Sequence, residues 1–156
     1  MSGRLELAIR QATANDLPAI VALIADDALA QARDGVSVTV TRAHRDAFDA
    51  MERDANQLFA LAVEGAAIVG CFQLTVIPGL SRGGAWRGQI ETVRVASTAR
   101  GRGIGGFMME WAIEECRRRG CALVQLTTDK NRSDAHRFYA RLGFSATHEG
   151  MKFSLA

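Results

Sequence analysis

Apolar and polar residues alternate along "LELAIRQA", Leu5 to Ala12, which predicts a strand with one face against a core. Asp16 follows at a cap position. "LPAIVALIADDALAQA" then carries apolar residues at helical spacing, predicting a helix that ends before "DG" at Asp34 and Gly35. A second helix is expected from about Thr41 to Arg53, with Ala47, Phe48 and Met51 as its stripe. "QLFALAVEGAAIVGCFQLTVI" reads as a hairpin turning at Glu64 and Gly65 and closed by Pro78. After the polar loop "GLSRGGAWRG", "QIETVRVAS" alternates again as a strand, and "FMMEWAIEECRRRG" follows as an amphipathic helix stopped at Gly120. "CALVQLTT" is apolar at nearly every position and is expected to be a central strand. "SDAHRFYARLG" reads as a last helix capped by Gly143, and "FSATHEGMKFSL" as a closing strand or short hairpin. Interleaved strands and helices of this kind predict an α/β (α+β) domain built on one sheet.

The length suits one domain spanning 1–156, since a chain of 156 residues can bury roughly 68–70% of its unfolded surface. Hydrophobic residues at 48% and only 2 prolines argue for a packed core rather than disorder. A net charge of +2 is too weak for a broad nucleic-acid surface, but Arg100, Arg102 and the run Arg117 to Arg119 make local basic spots suited to a small anionic ligand. "MSGRLELAIRQATAND" lacks a long apolar core and no segment reaches about 18 apolar residues, so the protein reads as cytoplasmic, without signal peptide or membrane span. Cys71, Cys116 and Cys121 show no C-x-x-C spacing and read as small buried hydrophobes, and His44, His136 and His148 have no metal-ligand spacing, so no metal is expected.

The unusual stretch is "STARGRGIGGFMMEWAIEECRRRG", Ser97 to Gly120, where Gly101, Gly103, Gly105 and Gly106 fall beside Arg100 and Arg102 between a strand and a helix. Glycine loses more backbone entropy on folding than other residues, so such a cluster implies backbone shapes or a close approach that side chains forbid. A strand, a glycine loop and a helix N-terminus together suit a phosphate, because unpaired N–H groups and the positive end of the helix dipole face it. "GRGIGG" also satisfies the dinucleotide pattern G-x-G-x-x-G. Only 50 residues follow Gly106, however, and no acidic residue ends a strand about 20 residues on; Asp129 comes too late. No Gly-Lys-Ser/Thr follows, which excludes a P-loop.

"VASTARGRGIGGFMMEWA" resembles the coenzyme A pyrophosphate loop of the GNAT superfamily of N-acetyltransferases, whose core is Arg or Gln, two residues, Gly, one residue, Gly or Ala; here these are Arg100, Gly103 and Gly105. "LTTDKNRSDAHRFYARLGF" is similar to the family's second motif, through Asn131, Ala135, Tyr139 and the pair Gly143 and Phe144. The resemblance is close from about Ile90 to Phe144. Ser97 departs from it where many members carry proline, and Ala99 where many carry a large residue.

The resemblance implies a mixed, mostly antiparallel central sheet flanked by helices, and transfer of an acetyl group from acetyl-CoA to a primary amine by direct attack. It implies that Arg100, Gly101, Arg102, Gly103, Ile104, Gly105 and Gly106 cradle the pyrophosphate, and that Asn131 holds the coenzyme or caps the last helix. The backbone N–H groups of Val93 and Val95 would hold the pantetheine arm and the oxyanion formed on attack. An amine with a pKa near 10.4 needs a base, and Glu91, expected on the same strand face as Val93 and Val95, is the candidate; its alternative role is a salt bridge with Arg94. Tyr139, the one tyrosine of the chain, matches the family's general acid for the leaving thiolate; its alternative is a packed aromatic beside Phe138 and Leu142. By analogy the segments 25–45 and 79–88 flank the acceptor cleft, where Arg82, Trp86 and Arg87 either suit a carboxylate-bearing acceptor or form a solvated loop. A homodimer is plausible, since the sheet must end in edge strands. A non-catalytic acyl-CoA sensor and a nucleotide-binding redox domain are the competing readings.

Overall fold

Alternation along four segments makes four antiparallel strands in the computed structural model, which describes residues 6–26 and 39–156. Strands β1 (Leu7–Gln11), β2 (Gln57–Glu64), β3 (Ala67–Ile77), β4 (Trp86–Val95) and β5 (Cys121–Leu126) form one sheet in that spatial order. The β2–β3 hairpin turns on Gly65 and Ala66, one residue later than expected, with Gly65 at φ +61°. Among the described residues seven helical segments, five α-helical and two 3-10, accompany the strands. The principal ones are α1 (Leu17–Ala25), α2 (Arg42–Glu52), α3 (Ile104–Arg118) and α4 (Ser133–Arg141). Among the described residues no helix is long and apolar enough to cross a membrane.

The period of two along each strand divides the sheet into two faces. On one, Phe59, Leu61 and Cys71 pack with Leu17, Ile20 and Leu23 of α1 and Phe48 of α2. On the other lie the buried Ala60, Phe72, Leu74, Val76 and Ile90. Helix α3 covers this second face with Ile104, Met108, Met109, Ala112 and Cys116. Its approach is close enough that a Cβ at Gly88 would lie 2.3 Å from Cys116 Sγ, and one at Gly70 would lie 2.7 Å from Met108 Sδ. Each large side chain buried here contributes about 1.5–3 kcal/mol relative to exposure.

The helix starts follow their capping chemistry. Thr41 precedes α2, and its hydroxyl accepts from the His44 N–H at 3.3 Å while His44 Nδ1 accepts from the Thr41 N–H at 3.0 Å. Asp16 stands at the start of α1 but turns its carboxylate back, accepting from the Thr13 N–H at 2.8 Å and pairing with Arg10 at 2.7 Å. The Arg10 guanidinium holds the Asp16 carboxyl well below the usual carboxylate range. α1 ends at Ala25, and the rest of the helix expected as far as Ala32, with Asp34 and Gly35, lies outside the described residues.

Two expectations are corrected. β5 is the last strand of the sheet rather than a central one, and its residues are mostly half-buried. An apolar run reports that the faces of a strand are covered, not that both its edges are paired. The closing strand is also missing: residues 144–156 form no regular element, and Met151, Phe153 and Leu155 alternate in exposed positions. Alternation becomes a strand only beside an edge that takes its backbone hydrogen bonds.

The chain divides into two compact units, one up to Gln125 and one from Leu126. The second is built around α4, whose C-terminus closes through bonds from the Gly143 N–H to the Ala140 carbonyl and from the Phe144 N–H to the Tyr139 carbonyl, with Gly143 at φ +99°.

Candidate active site

β4 leads straight into the glycine loop, and its regular alternation breaks at Thr92, a non-glycine residue at φ +55°. The pairing shifts there: Gln73 of β3 faces Glu91, but Cys71 faces Arg94, so Thr92 and Val93 together oppose Phe72. This is a β-bulge, a device that re-aims side chains at the cost of ladder pairing. Residues paired across a sheet share a face, so Glu91 shares one with Arg94, while Val95, paired with Gly70, is on the other. The expectation that Glu91 sides with Val93 and Val95 is corrected, because the extra residue inverts the alternation. Glu91 is exposed, and it forms no ion pair with Arg94, whose Nη1 donates to the Val93 carbonyl at 2.9 Å.

Beyond the bulge the Ala96 N–H donates to the Val69 carbonyl at 2.9 Å. Because successive amides of a regular strand point to opposite sides, the N–H of Val95, one residue before Ala96, is directed away from β3.

The loop is shaped by backbone constraints. Gly101 and Gly103 have φ +76° and +79°, left-handed values that glycine reaches without strain, and a Cβ at either would meet nothing within 4 Å. Gly103 is the N-cap of α3, and no side chain caps that end. The N–H groups of Ile104, Gly105 and Gly106 in the first turn have no intrahelical partners and face out with the positive end of the helix dipole. Gly106 is helical without a positive φ and has no neighbour within 4 Å of a Cβ, so neither conformation nor protein packing demands glycine there.

Charged neighbours hold this loop in place. Arg100 Nε donates to the Val95 carbonyl at 3.4 Å, which folds the side chain over the end of β4. Arg102 is engaged by the Glu64 carboxylate at the end of β2. The Ser97 N–H donates to Asp26 Oδ2 at 3.0 Å, and that hydrogen bond lowers the Asp26 pKa. Ser97 occupies a position where proline would have no N–H to donate, so this bond depends on the departure from the family pattern. Asp26, Glu64 and Thr92 were not legible as loop or site residues: two are far away in sequence, and no residue type signals a bulge.

In the second unit the Tyr139 ring stands edge-on to Phe138 and Phe144, with centroids 5.0 Å and 5.8 Å away. Its ring thus packs against two aromatics. Asn131 is exposed, and its N–H donates to Asp129 Oδ1 at 2.9 Å. The N-cap of α4 is Arg132, so Asn131 is not the cap. Of the cysteines, Cys71 and Cys116 are buried and their thiols are pushed up to about 12 by desolvation; Cys121 is half-buried. The loop residue Trp86 is 40% exposed.

The model of the Acetyltransferase (GNAT) family matches residues 20–144. The aminoalkylphosphonate N-acetyltransferase of Salmonella typhimurium is 35% identical over 140 residues, covering 90% of this chain and 86% of that one. The glucosamine 6-phosphate N-acetyltransferase of Trypanosoma brucei brucei is 35% identical over 88 residues, 56% of this chain and 58% of its own. Among solved structures, one described as a transcriptional regulator from Bacillus halodurans C-125 superimposes with a TM-score of 0.91 at 45% identity, covering 96% of this chain and 100% of that one.

Proposed function

We propose that this chain, which belongs to the acetyltransferase (GNAT) family, moves an acetyl group from acetyl-CoA to the primary amine of a small acceptor bearing a phosphonate or phosphate group. The glycine loop is the observation that carries the coenzyme assignment. Left-handed Gly101 and Gly103, the bare Gly106 and the uncapped start of α3 fit a pyrophosphate, which needs backbone donors and no intervening side chains. Arg100 would add charge, and Arg102, tied to Glu64, would chiefly hold the loop in shape. Asn131 would contact the coenzyme through its amide.

Acetyl-CoA supplies an acyl thioester that an amine attacks directly. Glu91 takes the proton from the acceptor nitrogen, and its exposed carboxylate, free of cationic partners among the described residues, is available for that task. The N–H groups of Val93 and Val95 hold the carbonyl end of the co-substrate, and Tyr139 Oη returns a proton to the leaving sulfur. The acceptor class rests on the relatives: the two enzymes named above act on an aminoalkylphosphonate and on glucosamine 6-phosphate. The family match from 20 to 144 spans the boundary between the two units, which supports one acetyltransferase domain over 1–156. We place the protein in the cytoplasm, in keeping with three free cysteines, and infer a homodimer from the exposed apolar residues of the C-terminal segment.

Calorimetric titration with acetyl-CoA, with NAD as control, tests the assignment. Micromolar binding of acetyl-CoA alone is expected, and binding of neither ligand would overturn it. Tyr139→Phe is expected to lower kcat for thiol release about 100-fold while leaving coenzyme affinity within about twofold. A full-rate variant would remove Tyr139 as the acid.

A further inference from the structure

One face of the sheet changes character partway along its strands. Near α1 and α2 it is apolar, with Phe59, Leu61 and Cys71 in the core. Toward the other end the same face carries Gln57, Gln73, Thr75 and Gln89, because the register pairs Gln57 with Thr75, Phe59 with Gln73, and Thr75 with Gln89. Glutamine is not a strand former, and β3 and β4 are interior strands, so neither propensity nor core packing accounts for this row.

The row is organised. Gln73 Nε2 and Thr75 Oγ1 both donate to Gln57 Oε1, at 3.1 Å and 3.0 Å, and Gln125 Nε2 of β5 donates to Gln89 Oε1 at 2.7 Å. Each of these side chains is half-buried. A primary amide offers two donors and two acceptor sites, so these bonds orient the glutamines without exhausting them. The surface that remains is a set of pre-oriented hydrogen-bonding groups, the kind of lining that positions a polar small molecule.

Two charges flank the row on the same face. Glu91 lies opposite Gln73, and Arg87 lies opposite Ile77, with Gln89 between them on β4. Their Cα atoms are about 13 Å apart along the strand, a span that two long side chains can shorten considerably. Arg87 is half-buried, and a Cβ at Gly79 would lie 3.2 Å from its Nη1, so the guanidinium is seated against the 79–85 loop. Arg117, Arg118 and Arg119 each pair with a glutamate of their own helix, whereas Arg87 meets no carboxylate among the described residues.

We propose that this polar face is the floor of the acceptor site and that Arg87 holds the acceptor's phosphonate or phosphate, with the amine at Glu91. The inference rests on the acetyltransferase reading. A guanidinium presents paired N–H groups that match two oxygens of such an anion, and its planar fork discriminates it from a neutral alkyl end. Gln73, Thr75 and Gln89 line the path between the two ends and would hydrogen-bond polar groups along it.

The test compares 2-aminoethylphosphonate with propylamine as acceptors, following thiol release by wild type, Arg87→Met and Arg87→Lys. Wild type is expected to favour the phosphonate in kcat/KM by at least about 30-fold, the scale of a charge-assisted hydrogen-bonded pair. Arg87→Met should lose most of that preference, raising KM for the phosphonate far more than for propylamine, and Arg87→Lys should recover part of it. A purely structural role for Arg87 would depress both acceptors alike. Equal use of the two amines by wild type, or a preference unaltered in Arg87→Met, overturns the inference and leaves the acetyltransferase reading standing. Release with neither amine by a protein that binds acetyl-CoA also overturns it. Failure to bind acetyl-CoA overturns the acetyltransferase reading itself.

Discussion

At the scale of single residues, the glycines of the loop separate by cause, and the causes predict opposite effects. Gly103 is left-handed at φ +79°, so Gly103→Ala strains the backbone by about 1–2 kcal/mol and tilts the first amides of α3. Both the thermal midpoint and acetyl-CoA affinity are expected to fall. Gly106 is helical and uncrowded, so Gly106→Ala should raise stability by about 0.5–1 kcal/mol while weakening acetyl-CoA if the coenzyme approaches that backbone. Denaturant unfolding and calorimetry on the same samples check the pair; unchanged affinity in Gly106→Ala would place the pyrophosphate elsewhere. The cluster was legible in the sequence because glycine is a backbone signal. Thr92 carries its own left-handed φ without any such signal, and with it the side on which Glu91 faces.

Among the elements, α3 shows how charge pattern becomes stability. Glu115 accepts from Arg118 and from Arg119, and these bonds lower its pKa from 4.5 to about 2, Arg118 contributing most. A carboxyl whose folded pKa is depressed binds protons more readily when unfolded, so its stabilisation is complete above about pH 4.5 and is lost as pH falls toward about 2. Arg118 is largely solvent-exposed, so solvent screens the pair and reduces the effect. Glu115→Gln is therefore expected to lower the urea midpoint at pH 7 and to flatten its decline between pH 5 and 2; an equally steep decline would deny Glu115 that role. In the sequence Arg117 to Arg119 read as a basic spot, whereas each pairs with Glu114 or Glu115; the α3 stripe and the β2–β3 hairpin were legible from period alone. The edge position of β5 was not, since hydrophobicity reports covered faces and says nothing about edges.

For the whole molecule, the C-terminal segment is the point of tension between pattern and fold. Met151, Phe153 and Leu155 are 94%, 89% and 95% exposed, an apolar stripe that a second copy of the chain would cover. Light scattering is expected to report a dimer, and replacing the three residues by serine should yield a monomer of unchanged helical content. A monomeric wild type would overturn the homodimer. By itself the sequence determined the strand and helix alternation, the glycine loop at the start of α3 and Tyr139 as the candidate acid, because these depend on short-range periodicity and on residue types within one stretch. Only the tertiary structure decided which face Glu91 takes, that Asp26 and Glu64 anchor the loop, and that glutamines from β2, β3, β4 and β5 form one polar row. Register and bulges depend on pairing between strands far apart in the chain, and one inserted residue inverts every facing that alternation implies.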